Sequence, residues 1–177
     1  MTSKIMHHLE DLGSGKEGVV SLVQWRGKQC VCKQFKRSKS ENKIKQEAEL
    51  QMKAAEHHLA PKVLFVDLKK KQILMEFVPF SLVELCRETQ HGELTDDQRL
   101  QLQTIMDKLD SIGILHNDGN ALNLRVDYDG IVYLLDYGMS KKITPKIKSK
   151  WGQSPNTALT LFMMKRSLRH HSIAHGL

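Results

Sequence analysis

The apolar residues of this chain change their spacing at Pro79, and that switch constrains the fold more than any other feature. Before it, Leu9 to Leu12, Val19 to Gln24 and Gln29 to Phe35 carry apolar and β-branched residues between glycine-rich turns, the pattern of strands. "KVLFVD" and "QILMEFV" flank "LKKKQ" and predict another hairpin with a charged tip. One helix is expected among these strands, from Ile44 to Leu59. Its Ile44, Ala48, Ala55 and Leu59 recur at helical spacing, and Pro61 closes it. After Pro79, Ser81 with Glu84 and Thr95 with Gln98 stand at capping-box spacing. Leu102, Ile105, Met106 and Leu109 give the second of these helices an apolar face that ends at Gly113. Asp129-Gly130, between "LRVDY" and "IVYLL", predicts a two-residue hairpin turn. A mainly β half with one helix, a short extended connector and a mainly helical half with a polar hairpin together predict an α+β fold.

A chain of 177 residues can hold one domain or two small lobes sharing a cleft. No apolar run approaches the roughly 20 residues that span a bilayer, so no membrane role is expected. The N-terminus "MTSKIMHHLEDL" lacks the apolar core of a signal peptide, which points to a reducing compartment, the cytoplasm or the nucleus. Three cysteines argue against a disulfide framework. Cys30 and Cys32 share one face of a strand, without the second pair that zinc would need. The net charge of +7 would attract polyanions, and it concentrates in "KKITPKIKSK" and "KRSLRHHSIAH". The final segment reads as a basic amphipathic helix with Leu161, Met164 and Leu168 inward. His171 and His175, four residues apart, lack further metal ligands.

The chemistry-bearing residues cluster around the polar hairpin. Asp118 follows the helix ending at Gly113, Asn123 comes five residues later, and Asp136 lies just beyond the hairpin. The two ends of a hairpin are close in space, so Asn123 and Asp136 can converge on one point. An amide and a carboxylate there supply hard oxygens suited to Mg²⁺, which takes few protein ligands together with phosphates. Asp118 could accept the proton of an attacking hydroxyl.

In the first half, Gly13, Gly15 and Gly18 form G-x-G-x-x-G between two strands, followed by Val20. This is neither a Walker loop, since Lys16 precedes Glu17, nor a dinucleotide fingerprint, since a strand follows. Glycines between strands let a backbone close over phosphates. Lys33 lies in an apolar strand, where a lysine needs an anionic partner. Glu47 and Glu49 on the following helix are the candidates.

In this order the pieces resemble the protein kinase superfamily over residues 9–140. "GSGKEGVV" is similar to the glycine-rich loop, "VCK" to the strand lysine and "KQEAE" to the helix glutamate. "ILMEFVP" resembles the gatekeeper and hinge, "HNDGNALN" the H-R-D-x-x-x-x-N catalytic loop, and "DYG" the D-F-G triplet. Within the superfamily the chain resembles small atypical members: the kinase subunits of the tRNA threonylcarbamoylation complex, RIO-type kinases and vaccinia-related kinases.

The resemblance implies a two-lobed fold with a truncated C-lobe: residues 1–76 as N-lobe, 77–80 as hinge and 81–177 as a minimal C-lobe. It implies ATP and Mg²⁺ as cofactors and transfer of phosphate to a Ser/Thr hydroxyl of a protein. Gly13, Gly15, Gly18 and Val20 would cover the nucleotide. Lys33 would hold the α/β-phosphates and pair with Glu47. Backbone groups of Glu76 and Val78 would bind adenine beside Met75. Asp118 would be the catalytic base, and Asn123 and Asp136 would hold the metal.

Three departures stand out. Asn117 replaces the usual arginine, Gly119-Asn120 stand where Leu or Ile and then Lys are usual, and no A-P-E follows Gly138, after which 39 residues remain. Phosphotransfer to a small molecule is an alternative on the same fold, and an ATP-binding regulatory module is another. Ordinary kinases hold peptide substrates with a helical region that this sequence lacks, so the basic segment from Lys141 to His175 is the expected contact with an acidic protein or tRNA.

Overall fold

The computed structural model describes residues 6–88 and 94–158, and the chain divides into two compact units. The first comprises residues 1–56 and 61–77; the second comprises 57–60 and 78–177.

The first unit is a five-stranded antiparallel sheet with one helix. Its strands are β1 (His7–Ser14), β2 (Gly18–Trp25), β3 (Lys28–Phe35), β4 (Val63–Asp67) and β5 (Gln72–Glu76), in the order β1-β2-β3-β5-β4. Alternation puts Cys30 and Cys32 on one face with Val23 and Leu74, and burial raises both thiol pKa values. They are core residues. The other face meets helix α1 (Glu41–Ala55), where Ile44 and Ala48 pack on Phe35, Ile73 and Met75. Ser40 caps α1 by accepting from the Lys43 N–H, and Glu41 sits in the positive first turn.

The periodicity carries α1 on to Leu59, but the helix stops at Ala55. His58 turns into the left-handed region at φ 59°, and the Leu59 carbonyl accepts the Leu134 N–H at 2.9 Å. A partner distant in sequence takes Leu59 out of the helix while keeping it 5% exposed, so its apolar signal was genuine and its secondary structure was not.

In the second unit, β6 (Phe80–Ser81), β8 (Leu124–Val126) and β9 (Val132–Leu134) form one small sheet, and β7 (Ile114–Leu115) pairs with β10 (Lys141–Lys142). Helix α2 (Leu82–Glu88) follows β6 directly. Ser81, expected as its cap, is the strand residue opposite Arg125. Helix α3 (Asp96–Ser111) has the full capping box: the Thr95 hydroxyl accepts from the Gln98 N–H and the Gln98 side chain accepts from the Thr95 N–H. Its Leu102, Ile105, Met106 and Leu109 are buried, and Gly113 supplies the left-handed residue (φ 74°) just past the C-cap. Helix α4 (Pro145–Trp151) was not foreseen, although Thr144-Pro145 is a legible cap and first-turn pair.

The two-residue turn at Asp129-Gly130 is also corrected. The last pair of the β8–β9 ladder is Val126 with Val132, so five residues, Asp127 to Ile131, form the loop. Asp127 organises it, accepting from the N–H groups of Asp129 and Ile131 through Oδ1 and from the Tyr133 hydroxyl through Oδ2. A carboxylate that replaces a main-chain acceptor stabilises a wider loop than the dipeptide alone implies.

Among the described residues, no helix is long and apolar enough to cross a membrane. The expected amphipathic helix with Leu161, Met164 and Leu168, and the pair His171 and His175, lie outside the described residues.

Candidate active site

Each unit carries its own share of the expected residues. In the first, β3 places Lys33 inward, 8% exposed, opposite Val20 of β2. Its Nζ lies 2.6 Å from Oε1 of Glu47, which α1 presents on the face that carries Ile44 and Ala48. Glu49 points outward, 62% exposed, toward Lys45. Helical phase makes the choice: positions 44, 47, 48 and 51 are buried together. A buried lysine held by a carboxylate is a fixed positive point, suited to phosphate oxygens.

The three glycines do different things. A Cβ on Gly13 or Gly15 would meet nothing within 4 Å, so these positions leave the backbone open to a ligand. A Cβ on Gly18 would come 1.9 Å from the Gln34 carbonyl oxygen. Gly18 is thus required by the close approach of β2 to β3, where it pairs with Phe35. Met75, expected beside adenine, is buried in β5, and the Gln51 amide approaches its sulfur at 3.5 Å. The Glu76 N–H is used on the Lys62 carbonyl at 2.9 Å, so an adenine contact at Glu76 falls to its carbonyl. Val78 lies just after Phe77, in the extended chain where the units divide.

In the second unit, the loop after β7 holds Asp118 by two amides. Asn123 Nδ2 donates to the Asp118 carbonyl at 2.8 Å and to its Oδ2 at 3.0 Å, while Asn120 Nδ2 donates to Oδ1 at 3.0 Å. Both carboxylate oxygens are thereby oriented. In the sequence Asn120 stands out only where a lysine is usual, and its spacing of two from Asp118 is the signal for this contact. With its nitrogen committed, the Asn123 amide has its oxygen left as the atom that could serve a cation. The ladder brings the two chain segments together: Leu124 pairs with Leu134, the Leu135 N–H donates to the Asn123 carbonyl at 2.7 Å, and Asp136 follows in sequence. Asp136 sits in the left-handed region (φ 60°) and caps the 3-10 turn Tyr137–Met139 through Gly138. Such a conformation in an Asp is a local strain that surrounding structure must hold. Asn123 and Asp136 therefore offer the hard-oxygen donor set that suits Mg²⁺.

His116 supports this arrangement from below. It is fully buried, its Nε2 donates to the Leu135 carbonyl at 2.9 Å, and its ring meets Tyr137 edge-on at 4.7 Å. Burial drives its pKa down to about 4, against the opposing pull of the Leu135 carbonyl and the charges of Asp118 and Asp136, so the ring is neutral near pH 7. It positions the loop. Next to it, Asn117 adopts φ 65°, a left-handed conformation that asparagine tolerates. Asn156, 1% exposed, ties the loop to α3: its Oδ1 accepts from the His116 N–H, and its Nδ2 donates to Asp110 Oδ1 and the Ile114 carbonyl. Burial raises the Asp110 pKa, and the Asn156 bonds oppose that shift. The Ser140 hydroxyl donates to the His116 carbonyl, so the chain after "DYG" is fastened to the same loop. Nothing in the local sequence marks Asn156, because its partners lie about forty residues away.

The family model for "Protein tyrosine and serine/threonine kinase" matches residues 6–165. The chain belongs to the protein kinase family. It is 30% identical over 158 residues to the human cytoplasmic tyrosine-protein kinase BMX, covering 76% of this chain and 21% of that protein. It is 30% identical over 144 residues to mouse sperm motility kinase 3A, covering 77% of this chain and 29% of that protein. Mouse sperm motility kinase 2B is 28% identical over 151 residues, with 77% and 30% covered. This kinase-family chain thus spans between a fifth and a third of the relatives it matches. Its α+β architecture is that of the family: a five-stranded sheet with one helix in the first unit, and a mainly helical second unit.

Proposed function

We propose that the chain is an ATP-dependent protein kinase that transfers the γ-phosphate to a Ser or Thr hydroxyl. The observation that carries the reading is the buried Lys33–Glu47 pair, 2.6 Å apart and pre-set for phosphate. Residues 1–76 serve as the nucleotide lobe, 77–80 as the hinge and 81–177 as the remaining core. Gly13, Gly15 and Gly18 shape the loop over the nucleotide, Val20 packs against it, and Glu76 and Val78 offer main-chain groups to adenine beside Met75. Asn123 and Asp136 hold Mg²⁺, which when bound neutralises phosphate charge. Asp118, its carboxylate oriented by Asn120 and Asn123, receives the proton of the substrate hydroxyl. Phosphotransfer is mostly positioning and charge stabilisation, and these groups supply both.

The likeness to a named tyrosine-protein kinase favours a second reading, a tyrosine acceptor. Transfer to a small molecule, or nucleotide binding that only regulates a partner, are the remaining alternatives. The deciding experiment supplies γ-labelled ATP and Mg²⁺ with Ser/Thr peptides, Tyr peptides and a metabolite pool, for wild type and Asp118→Asn. Label on Ser/Thr peptides that Asp118→Asn abolishes supports the proposal. Label on tyrosine or on metabolites reassigns the substrate, and binding without any transfer makes the chain a regulatory module. An acidic protein or tRNA reaching the basic segment from Lys141 is the proposed partner contact, carried by charge alone, and a cytoplasmic or nuclear location goes with it. Loss of that contact at high salt is its check.

A further inference from the structure

The first unit contains a second lysine with a largely covered side chain beside the Lys33–Glu47 pair. Lys39 immediately precedes the Ser40 cap of α1 and keeps only 9% of its side chain exposed. A lysine so covered needs anions, and it has two. Its Nζ lies 2.5 Å from Glu17 Oε2 and 3.1 Å from Glu47 Oε2. Lys33 takes the other oxygen of Glu47 at 2.6 Å and lies 3.9 Å from Glu17 Oε2. Both ammoniums stand over the Phe35 ring, at 5.2 and 5.0 Å. Within this unit, each of these two ammoniums faces both carboxylates.

The two acids are not equivalent. Glu47 is 3% exposed and fixed on a helix, whereas Glu17 is 39% exposed and sits in the glycine-rich loop between Gly15 and Gly18. It is the one that an incoming anion can replace. Beside it, a cavity of about 270 Å³ is lined by Lys16, Lys36, Lys39 and Lys43 against Glu17 as its single acid. With Glu17 moved aside, the cluster gains one net positive charge and that cavity loses its only negative one.

We propose that Lys39 is a second phosphate-binding cation of the nucleotide site, and that Glu17 is an internal anion which the phosphates must displace. The inference rests on the reading that this unit binds ATP. It predicts a built-in penalty that applies to ATP and spares adenosine, because only the phosphates compete with Glu17.

Calorimetric titration of the full chain with Mg·ATP and with adenosine tests it, using wild type, Glu17→Gln, Lys39→Met and the double variant. Glu17→Gln binds Mg·ATP about ten-fold more tightly than wild type with adenosine unchanged, the scale expected for one partly screened charge contact. Lys39→Met weakens Mg·ATP by a similar factor, spares adenosine, and cancels the gain from Glu17→Gln in the double variant. Lys39→Arg, which keeps the charge, restores most of the ATP affinity. Equal or weaker ATP binding by Glu17→Gln overturns the inference alone, even if Lys39→Met fails to fold. A Lys39→Met protein that folds but loses adenosine together with ATP also overturns it, making Lys39 a support for Glu47. Wild type that binds no ATP overturns the nucleotide reading and this inference with it.

Discussion

Gly15→Ala and Gly18→Ala separate two roles that one glycine-rich loop combines. At Gly18 the added methyl would sit 1.9 Å from the Gln34 oxygen and 2.9 Å from both the Gln34 carbonyl carbon and the Phe35 Cα. A tolerable C···O contact begins near ~3.3 Å, so β2 and β3 must part by roughly 1.4 Å at this end. The obstacle is backbone, and no rotamer change relieves it. Overpacking of this kind costs about 1–3 kcal/mol, and a weakened ladder bond adds about 1 kcal/mol. A loss of about 3 kcal/mol is therefore expected, a large part of the ~5–15 kcal/mol that holds a domain together.

At Gly15 the methyl meets nothing within 4 Å and the backbone is outside the left-handed region, so the variant is as stable as wild type or gains up to about 1 kcal/mol. Its effect appears in weaker ATP binding, as the methyl narrows the space left for phosphates. The chain has two tryptophans, and Trp25 closes β2, so urea unfolding in a Trp151→Phe background reports on the sheet through Trp25 fluorescence. Gly18→Ala within about 0.5 kcal/mol of wild type would refute the argument that strand approach requires glycine there.

Lys33→Met keeps the fold but lowers phosphate transfer by about a hundred-fold or more, since one positioned cation contributes several kcal/mol at developing charge; near-wild-type turnover in a single-turnover assay contradicts it. Asp136→Ala loses affinity for Mg·ATP but not for adenosine, read by calorimetry. For His116 the folded pKa of about 4 lies below the ordinary 6.5, so the unfolded state binds the extra proton between these values and stability falls as pH drops from about 6.5 to 4. The full contribution is about 3 kcal/mol, and His116→Asn flattens that part of the urea-midpoint profile against pH. Asn156→Ala removes the amide shared by His116, Asp110 and Ile114 and leaves their polar groups buried. It costs about 3 kcal/mol, followed through Trp151 with Trp25 replaced.

What could be read from the sequence was whatever depends on near neighbours. The strands of residues 7–35, the Thr95–Gln98 capping box and the apolar stripe of α3 are short-range patterns, and each is present in the fold. Glu47 and Glu49 both stayed open as partners of Lys33 on the sequence pattern, and the folded helix decides between them by burying residues 44, 47 and 48 on one face. What escaped depends on contacts between distant segments. Beyond Ala55 the chain leaves the helix, with His58 left-handed and the Leu59 carbonyl taken by Leu134 of β9, and the hairpin widens because Asp127 replaces a main-chain acceptor. Asn156 reaches His116 from forty residues away, and Lys39 meets Glu17 across twenty-two. Side-chain polar groups like these declare a role only when folding buries them together, because burial makes an unpaired charge or amide costly and forces the pairing.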